Sequence, residues 1–523
     1  MTDVNHHFKT DAEKESSAVA FGTARGVSRR SFLMQAAATA AAPMLGAATV
    51  ERVQAQAKKP SWSRLLKKPN IIMVISDQYR WDFICAAGSN PMALTPNLDA
   101  MWRRGTAFQN AMTNQPLCSP ARACLFTGQY ATQTGVWKLQ LGLRENAITL
   151  ATLLGKAGYS TNYLGKWHLA PNPGQTGKGP VPAQYRGGFT GLWLAANVPE
   201  ISTQPYNSQF WDNDNNPVHY GRNTYRVDFL AGEAEKFLRE RHAKPFFLVL
   251  SQLEPHQQNG QGFVAPRGMA RKFRNPYTPP DLRPLPGDWP TTLNHYYGDC
   301  KAIDDSMGRI FKTLREENLE ENTIVMFLGD HGCHFRTRNI EYKRSPHDAS
   351  ARIPLIVQGP GFDGGGMVTE LVNIIDIAPT LLDVAGESAP AFMQGQRLLP
   401  LVHDPGARAV WRNEVFIQIS ESETGRALRT PEWTYCAICD DVASLQHPSS
   451  RHYRDYQLYD NRADPAQVFN LCGRQDYPRI TDIHYIGDRS LPQITRELRE
   501  RLVTRIVEAG EERPDIANWP FYP

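Results

Sequence analysis

Three segments of the chain are rich in apolar side chains at consecutive positions, and each segment ends at polar residues. These segments are 70–76, 246–250 and 323–328. Consecutive apolar side chains are typical of a strand that is buried on both faces of a sheet. Sequences with helical periodicity lie at 149–157, 229–241 and 296–317. Buried strands separated by helices predict an α/β fold with a large, mostly parallel sheet flanked by helices.

Polar side chains follow the first and the third of these strands. Asp77 and Gln78 come directly after the first, and Asp330 and His331 follow the third. Because ligands gather at the carboxyl ends of parallel strands, we expect these side chains to meet at one edge of the sheet. Two carboxylates, an amide oxygen and an imidazole suit a divalent cation, and the many oxygens favour calcium over zinc. An aspartate at a strand end is also often only a helix cap, but the pairing of two such ends favours a metal site.

Composition bounds the class of protein without identifying it. The chain has 523 residues, of which 41% are hydrophobic and 21% charged, as in a globular protein large enough for two domains. Its 57 basic and 53 acidic residues give a net charge of +4. This balance argues against binding to nucleic acid or to an anionic membrane surface. The sequence also contains no apolar stretch long enough to predict a membrane span.

The N-terminal residues indicate where the protein works. Arg29 and Arg30 stand before a Phe-Leu pair and an alanine-rich stretch at 35–48, and Ala55-Gln56-Ala57 offers a small-x-small cleavage site. This arrangement is typical of a twin-arginine export signal over 1–57, although a basic, disordered N-terminus with a short helix is the alternative. Twin-arginine systems carry folded proteins, so we predict a periplasmic or secreted protein.

The eight cysteines form no dense disulfide framework. Cys436 and Cys439 are the one close pair. A redox or metal-binding role is open for this pair, but a single CxxC more often represents buried thiols or a local disulfide.

Cys118 begins a compact motif, Cys118-Ser119-Pro120-Ala121-Arg122, and Thr127-Gly128 follow it at a short distance. A lone cysteine beside a proline and an arginine is more often a small core residue next to a turn. The five-residue pattern, together with the segments 95–99 and 108–111 before it, resembles the signature of the formylglycine-dependent sulfatases. The resemblance covers nearly all of residues 69–475.

The resemblance implies that Cys118 does not act as a thiol. A formylglycine-generating maturation enzyme would be a partner of the chain and would oxidise this residue to the aldehyde formylglycine (3-oxoalanine). One hydroxyl of the aldehyde hydrate would then attack the sulfur of a sulfate ester. In the family, Ca²⁺ is bound by the modified cysteine and by the residues that correspond to Asp77, Gln78, Asp330 and His331. Mn²⁺ remains an alternative, because it also accepts an imidazole ligand.

Further residues match the family positions that handle the sulfate group. Lys166 and His168 lie in a Gly-Lys-Trp-His segment. By resemblance, Lys166 bridges the aldehyde hydrate and the sulfate, and His168 takes the proton that lets sulfate leave. Arg122 is implied to hold the hydrate and to pair with nearby carboxylates, which would affect rate more than affinity.

Two more matches complete the implied site. His256 follows Pro255 at the end of its strand and corresponds to the histidine that contacts sulfate and protonates the departing alcohol. Lys343 corresponds to the last sulfate-binding lysine, because it falls thirteen residues after Asp330 and nine before Arg352.

The resemblance also implies an alkaline phosphatase-like fold with a C-terminal subdomain of a small antiparallel sheet plus a helix. Short apolar segments at 415–419 and 433–435 suit its strands, and 492–509 suits its helix. We therefore predict a catalytic domain over 58–410 and a C-terminal subdomain over 411–523.

The chain departs from the family pattern where His347-Asp348 follow Ser345-Pro346, and the nearby segment 334–339 is unusually basic. A solvated loop is the ordinary explanation. Our hypothesis is that side chains of this region contact a polar or anionic substrate, such as a sulfated sugar. The candidates are His334, Arg336, Arg338 and His347. A second candidate rim is the stretch 193–211, whose tryptophans offer faces for sugar rings.

Three functions are compatible with these observations. The first is hydrolysis of a sulfate monoester, with a sulfated saccharide or polysaccharide as the expected substrate. The second is hydrolysis of a phosphonate monoester or phosphodiester by a related enzyme with the same cysteine motif. The third is noncatalytic binding of a sulfated glycan, which the intact set of candidate residues argues against.

Overall fold

The computed structural model of the protein describes residues 68–172, 177–472 and 485–518. The predicted export signal over 1–57 lies outside the described residues and stays a prediction.

A large sheet forms the centre of the described chain. Its strands are β1 (Asn70–Asp77), β2 (Thr106–Met112), β3 (Ser160–Lys166), β4 (Trp193–Ala196), β5 (Ser208–Trp211), β6 (Pro217–Tyr220), β7 (Phe246–Pro255), β8 (Thr323–Gly329), β9 (Arg352–Ile353), β10 (Leu355–Gln358) and β11 (Gly366–Asn373). They lie in the order β11-β2-β10-β8-β1-β7-β3-β4-β5-β6, with β9 paired to β2. The neighbours β8-β1-β7-β3-β4 at its centre are parallel.

Helices cover both faces of this sheet. Those in the described residues are α1 (Pro96–Arg104), α2 (Cys118–Thr127), α3 (Ala131–Thr134), α4 (Leu150–Lys156), α5 (Pro199–Ser202), α6 (Arg226–Arg239), α7 (Met269–Lys272), α8 (Trp289–Glu316), α9 (Asp348–Ala351), α10 (Ile377–Val384), α11 (Leu399–His403), α12 (Pro405–Val410) and α13 (Leu491–Glu508). The predicted α/β fold is confirmed.

The sequence of the central strand β1 is apolar almost throughout because both of its faces are buried. Successive side chains of a strand point to opposite faces. Ile71 and Met73 lie in the core that α2, α4 and α10 cover. Ile72 and Val74 lie in the core that α1, α6 and α8 cover. Because both faces are dry, only the end of such a strand can carry polar groups without losing buried apolar area.

A second, smaller sheet follows the large one in the chain. It consists of β12 (Val415–Ile419), β13 (Thr424–Arg429), β14 (Trp433–Cys439), β15 (His452–Asp460) and β18 (Asp515–Ala517), in that order. All its pairs are antiparallel except β15 with β18. Helix α13 contacts it, and β16 (Tyr485–Ile486) with β17 (Arg489–Ser490) forms a short hairpin before that helix. The predicted small antiparallel sheet plus helix is confirmed, while the boundary at residue 411 stays a prediction.

The largest error in the predicted elements is the start of α8. The pattern predicts a beginning at residue 296, whereas the helix begins at Trp289 with Pro290 in its first turn. Trp289 and Leu293 already share the apolar helical spacing of the later turns, and a proline is well suited to a helix start, so the sequence carried signals for the earlier beginning. In the described ranges, no helix is both long and apolar enough to cross a membrane.

Candidate active site and metal centre

The ends of two neighbouring parallel strands bring the predicted metal ligands together. Asp77 is the last residue of β1, and Asp330 comes directly after β8. Ser76 pairs with Gly329, so both carboxylates stand at one edge of the sheet. Potential ligand atoms of four buried side chains lie within 4.8 Å of one another. They belong to Asp77, Cys118, Asp330 and His331.

The backbone around Asp330 fixes this carboxylate. Its Oδ1 accepts hydrogen bonds from the backbone N–H groups of Gln78, at 3.1 Å, and of His331, at 2.9 Å. Gln78 has a φ of 67°. A positive φ is rare for a residue other than glycine and is typical of functional sites where the surrounding fold enforces it.

Cys118 is the first residue of α2 and is 1% exposed. Its Sγ lies 3.1 Å from Lys343 Nζ, 3.3 Å from His331 Nε2 and 3.7 Å from Asp77 Oδ1. Burial raises the pKa of this thiol, but Lys166, Lys343 and His331 outweigh burial and lower the pKa well below its ordinary value. The position therefore stabilises a negative charge on the side chain of residue 118.

Arg122 lies one helical turn further and joins the two carboxylates. Its guanidinium donates to Asp330 Oδ2 at 3.0 Å and to Asp77 Oδ2 at 3.2 Å. It also donates to the Lys166 carbonyl and to Ser251 Oγ, and it is fully buried. The resemblance implied that Arg122 pairs with nearby carboxylates, and the contacts agree.

The charges of the two aspartates respond differently to this environment. Burial and Cys118 raise the pKa of Asp77, but Lys166, His256 and Arg122 together outweigh them, so the net shift of the pKa is downward. For Asp330, burial and the charge of Asp77 prevail and raise the pKa. A cation placed between the two carboxylates would stabilise both in their charged forms.

Lys166 and His168 lie on the other side of Asp77. Lys166 is the last residue of β3, and its Nζ is 2.8 Å from Asp77 Oδ2. The same ammonium donates to Glu200 Oε1 at 2.9 Å. His168 has a φ of 58° and interacts with Cys118, where it contributes to the lowered thiol pKa.

His256 and Lys343 complete the group through Gln78. Lys343 Nζ donates to Gln78 Oε1 at 3.1 Å, and Gln78 Nε2 donates to Gln257 Oε1 at 2.8 Å. His256 Nδ1 lies 2.7 Å from the Gln257 carbonyl. A carbonyl can only accept, so this contact assigns the proton to Nδ1 and leaves Nε2 without one in the neutral ring.

The four predicted substrate-contacting residues have partners inside the protein. His334 is fully buried, and its Nε2 donates to the Lys343 carbonyl at 3.0 Å. His347 is buried and hydrogen bonds with Ser345 and Tyr459. Arg338 donates to the carbonyls of residues 466 and 467. Arg336 is the more accessible member, with a side chain 52% exposed. Contact with substrate stays a prediction for all four.

Trp193 of the second candidate rim is 1% exposed and packs on the rings of Tyr163 and Trp167. It is therefore part of the core and offers no face to a sugar. Cys436 and Cys439, both on β14, are free thiols, so the alternative of a local disulfide between them is wrong.

Sequence reasoning missed several residues that contact the site. Glu200 pairs with Lys166, Ser251 accepts from Arg122, and Gln257 accepts from Gln78. Ser251 and Gln257 lie on or just after β7, so the rule of polar strand ends could have found them. Glu200 belongs to α5, whose four residues carry no recognisable motif.

The donor set fits a divalent cation that prefers oxygen. Two carboxylates and the side-chain oxygen of Gln78 supply oxygens, and His331 and residue 118 supply the remaining ligands. All five side chains are buried, so their ligand atoms are shielded from water. Such a set suits Ca²⁺ and also suits Mn²⁺.

Known proteins are similar to this chain over most of its length. The family model described as "Sulfatase" matches residues 69–387, and "N-sulphoglucosamine sulphohydrolase, C-terminal" matches residues 339–486. The ulvan-active sulfatase of Formosa agariphila is 30% identical over 479 residues, which cover 87% of this chain and 88% of that protein.

Two solved structures share the fold. One is a Bacteroides thetaiotaomicron protein from the metabolism of multiple glycosaminoglycans, with a TM-score of 0.69 and 23% identity over 85% of this chain and 97% of the other. The second contains its substrate D-glucosamine-2-N,6-O-disulfate and has a TM-score of 0.68 and 21% identity, over 86% and 99% of the two chains. Because the first family model matches more than half of the chain, the protein belongs to the sulfatase family and is a sulfatase.

Proposed function

We propose that the protein hydrolyses a sulfate monoester on a sulfated saccharide or polysaccharide, with formylglycine derived from Cys118 and a divalent metal. The observation that carries the proposal is the convergence at Cys118. Its Sγ lies among the metal-ligand atoms and 3.1 Å from the Lys343 ammonium. The relative named for its activity on ulvan supports a glycan substrate.

The modified residue would supply an oxygen nucleophile, and a metal held by Asp77, Gln78, Asp330 and His331 would act as a Lewis acid. The side chains of the protein provide the electrostatic part. Lys166 and Lys343 would bind the sulfate oxygens, where negative charge is concentrated. Arg122 holds the two carboxylates and so keeps the metal-binding edge rigid.

His256 suits the role of proton donor to the departing alcohol. Its Nδ1 is held by the Gln257 carbonyl at 2.7 Å, which fixes the ring and directs Nε2 away from that contact. A ring held at one nitrogen can present the other in a constant orientation. His168 would take the proton from the side chain of residue 118, with which it interacts.

We also propose that the protein is exported by a twin-arginine pathway. Support comes from the paired Arg29 and Arg30 before an alanine-rich stretch. Lysine substitution of both arginines should leave the protein inside the cell, and cell fractionation measures this. Unchanged export of the double variant would contradict the proposal.

The test of the proposed activity combines mass spectrometry with substrate assays. The chain is produced with and without a formylglycine-generating enzyme, and the tryptic peptide that contains Cys118 is weighed in each preparation. We expect sulfate release from sulfated saccharides to follow the fraction of aldehyde in this peptide. Full activity of an unmodified thiol would contradict the formylglycine mechanism.

The same preparations distinguish the other two functions. Faster hydrolysis of phosphonate or phosphate diesters than of any sulfate ester would identify the related hydrolase activity. Glycan binding without turnover by fully modified protein would identify a noncatalytic binding protein.

A further inference from the structure

Glu200 is a buried acidic residue next to the candidate site that the proposed chemistry leaves without a role. It is 5% exposed, and its Oε1 lies 2.9 Å from Lys166 Nζ and 3.8 Å from His168 Nδ1. The carboxylate therefore faces two of the residues that the sulfatase resemblance assigns to the sulfate group.

The backbone of Glu200 is anchored independently of these contacts. Its carbonyl accepts from Gln258 Nε2 at 2.8 Å and from the backbone N–H of Asn259 at 3.1 Å. Gln258 is in turn held by Arg226, which donates to Gln258 Oε1 at 3.1 Å. The segment that follows His256 thus fixes where the carboxylate of Glu200 can stand.

Each of these two side chains has one buried polar atom without a hydrogen-bond partner. The atoms are Oε2 of Glu200 and Nδ1 of His168, and the latter lies 3.8 Å from the other oxygen of the same carboxylate. A buried polar group is normally hydrogen bonded. A small rotation of either side chain would let Nδ1–H donate to the carboxylate and would satisfy both groups.

Charge favours the same arrangement. Burial raises the pKa of Glu200, but Lys166, His168 and His256 outweigh it and lower the pKa to about 2. The carboxylate is therefore ionised at neutral pH and is a strong acceptor for a ring N–H.

We propose that Glu200 is a positioning residue for His168: it accepts the Nδ1 proton and so keeps Nε2 as the free ring nitrogen toward residue 118. The proposal rests on the proposed sulfate-ester hydrolysis. A carboxylate that orients a histidine in this way fixes both the tautomer and the angle of the ring. Its pairing with Lys166 would hold that ammonium in place at the same time.

The test compares Glu200→Gln with Glu511→Gln. Glu511 is a matched control, because its buried carboxylate pairs with Arg426 in the small sheet. We expect Glu200→Gln to lower kcat about 10- to 100-fold, as is typical when the partner of a functional histidine is lost. KM should change less than threefold, and the control should keep both constants. A small carboxylate such as formate should restore part of the kcat of Glu200→Ala.

A second readout does not depend on activity. NMR of ¹⁵N-histidine-labelled Cys118→Ser protein, with His168 assigned from an added His168→Gln substitution, reports the ring tautomer beside a neutral hydroxyl, which a low-pKa thiol would not offer. We expect the Nδ1–H tautomer when Glu200 is present and its loss when Glu200→Ala is added.

The outcomes separate the two proposals. Normal kcat and an unchanged tautomer in the Glu200 variants, with an active parent enzyme, would overturn the role of Glu200 alone. A raised KM with an unchanged tautomer would also overturn it, because Glu200 would then be only a counter-ion of Lys166. A parent enzyme that carries the aldehyde but cleaves no sulfate ester would overturn the proposed function instead.

Discussion

Two groups of buried polar side chains lie close together, and they differ in where their polar atoms point. Around Cys118, ligand atoms from β1, α2 and the end of β8 converge within 4.8 Å. In the basic loop, defined here as residues 334–347 without Lys343, which belongs to the first group, the polar atoms diverge toward separate partners. His334 donates to the Lys343 carbonyl, and Arg338 donates to carbonyls near residue 466. Convergence suits a site that binds a ligand, whereas divergence suits a loop that the protein itself holds in place.

The two groups also treat charge differently. In the cluster around Cys118, cations and carboxylates alternate and form buried ion pairs. In the basic loop, burial lowers the pKa of His334 to about 3 and that of His347 well below its ordinary value. Both imidazoles are therefore neutral at neutral pH. A basic sequence thus need not give a positively charged surface.

The largest expected effect concerns Cys118 itself. Cys118→Ala should lower sulfate-ester hydrolysis at least about 10⁴-fold, because the reaction loses its nucleophile. Cys124→Ala is the matched control, since Cys124 is a buried cysteine of the same helix whose pKa is raised by burial. It should keep its activity. Sulfate release is measured for both variants. Equal activity of the two would contradict the central role of Cys118.

A smaller effect is expected at Arg122. Arg122→Lys keeps a positive charge but cannot bridge Asp77 and Asp330, so kcat should fall about 100-fold while KM changes little. Arg426→Lys removes a comparable buried ion pair in the small sheet and should lose stability only. Steady-state kinetics and thermal unfolding separate the two effects. A normal kcat with a raised KM in Arg122→Lys would refute the prediction.

Metal binding provides the next comparison. Calcium at a hundredfold excess over its Kd should stabilise the native protein by about 2.7 kcal/mol, seen as a higher Tm. Asp330→Asn should remove most of this shift. Asp299→Asn should keep it, because Asp299 is a buried aspartate of α8 that accepts from the Tyr225 hydroxyl and lies outside the group of candidate metal ligands. A calcium shift retained by Asp330→Asn would show that calcium binds elsewhere.

The basic loop should show its own dependence on pH. Its histidines are neutral when folded and titrate near 6.5 when unfolded, so the unfolded state binds more protons below that pH. The stability they contribute is complete above pH 6.5 and is lost as the pH falls, by about 2 kcal/mol per histidine at pH 5. Between pH 7 and 5, the free energy of unfolding of His347→Gln should fall less than that of the parent protein, as measured by denaturant titrations. An identical pH slope would contradict the buried, neutral assignment.

The smallest effect is expected at the accessible end of the basic loop. If Arg336 contacts an anionic polymer, Arg336→Ala should raise KM about threefold for a sulfated polysaccharide, as expected of an exposed ionic contact. KM for a small aryl sulfate should not change. Arg283→Ala is the control, because Arg283 also stacks on a tyrosine at the surface. Equal effects of the two variants would exclude a specific contact at Arg336.

The sheet edge that gathers the candidate metal ligands and the outline of the fold could be predicted from sequence, because they follow from strands that are apolar until their last residue. Asp77 and Asp330 can be recognised in this way. Lys343 was selected by resemblance, because its distance from Asp330 matches the family's interval, and its Nζ does contact Cys118. The small sheet was predicted by resemblance rather than by its own pattern.

Glu200 could not be predicted, because its place is set by tertiary hydrogen bonds and not by a local pattern. The segment after His256, distant in sequence, holds its carbonyl. For the basic loop, the sequence shows that His334 and Arg338 are polar but does not show that they are buried. The structure alone reveals that His334 is fully buried.

All ten residues of α2 are buried, and Cys118 is its first residue. The thiol of Cys118 is therefore inaccessible to a modifying enzyme in the folded protein, and it is accessible only while the chain is unfolded. The proposed conversion of Cys118 must therefore precede folding, and under the proposed twin-arginine export it must also precede passage across the membrane. A cell in which folding outpaces this oxidation would accumulate well-formed molecules that can no longer be activated.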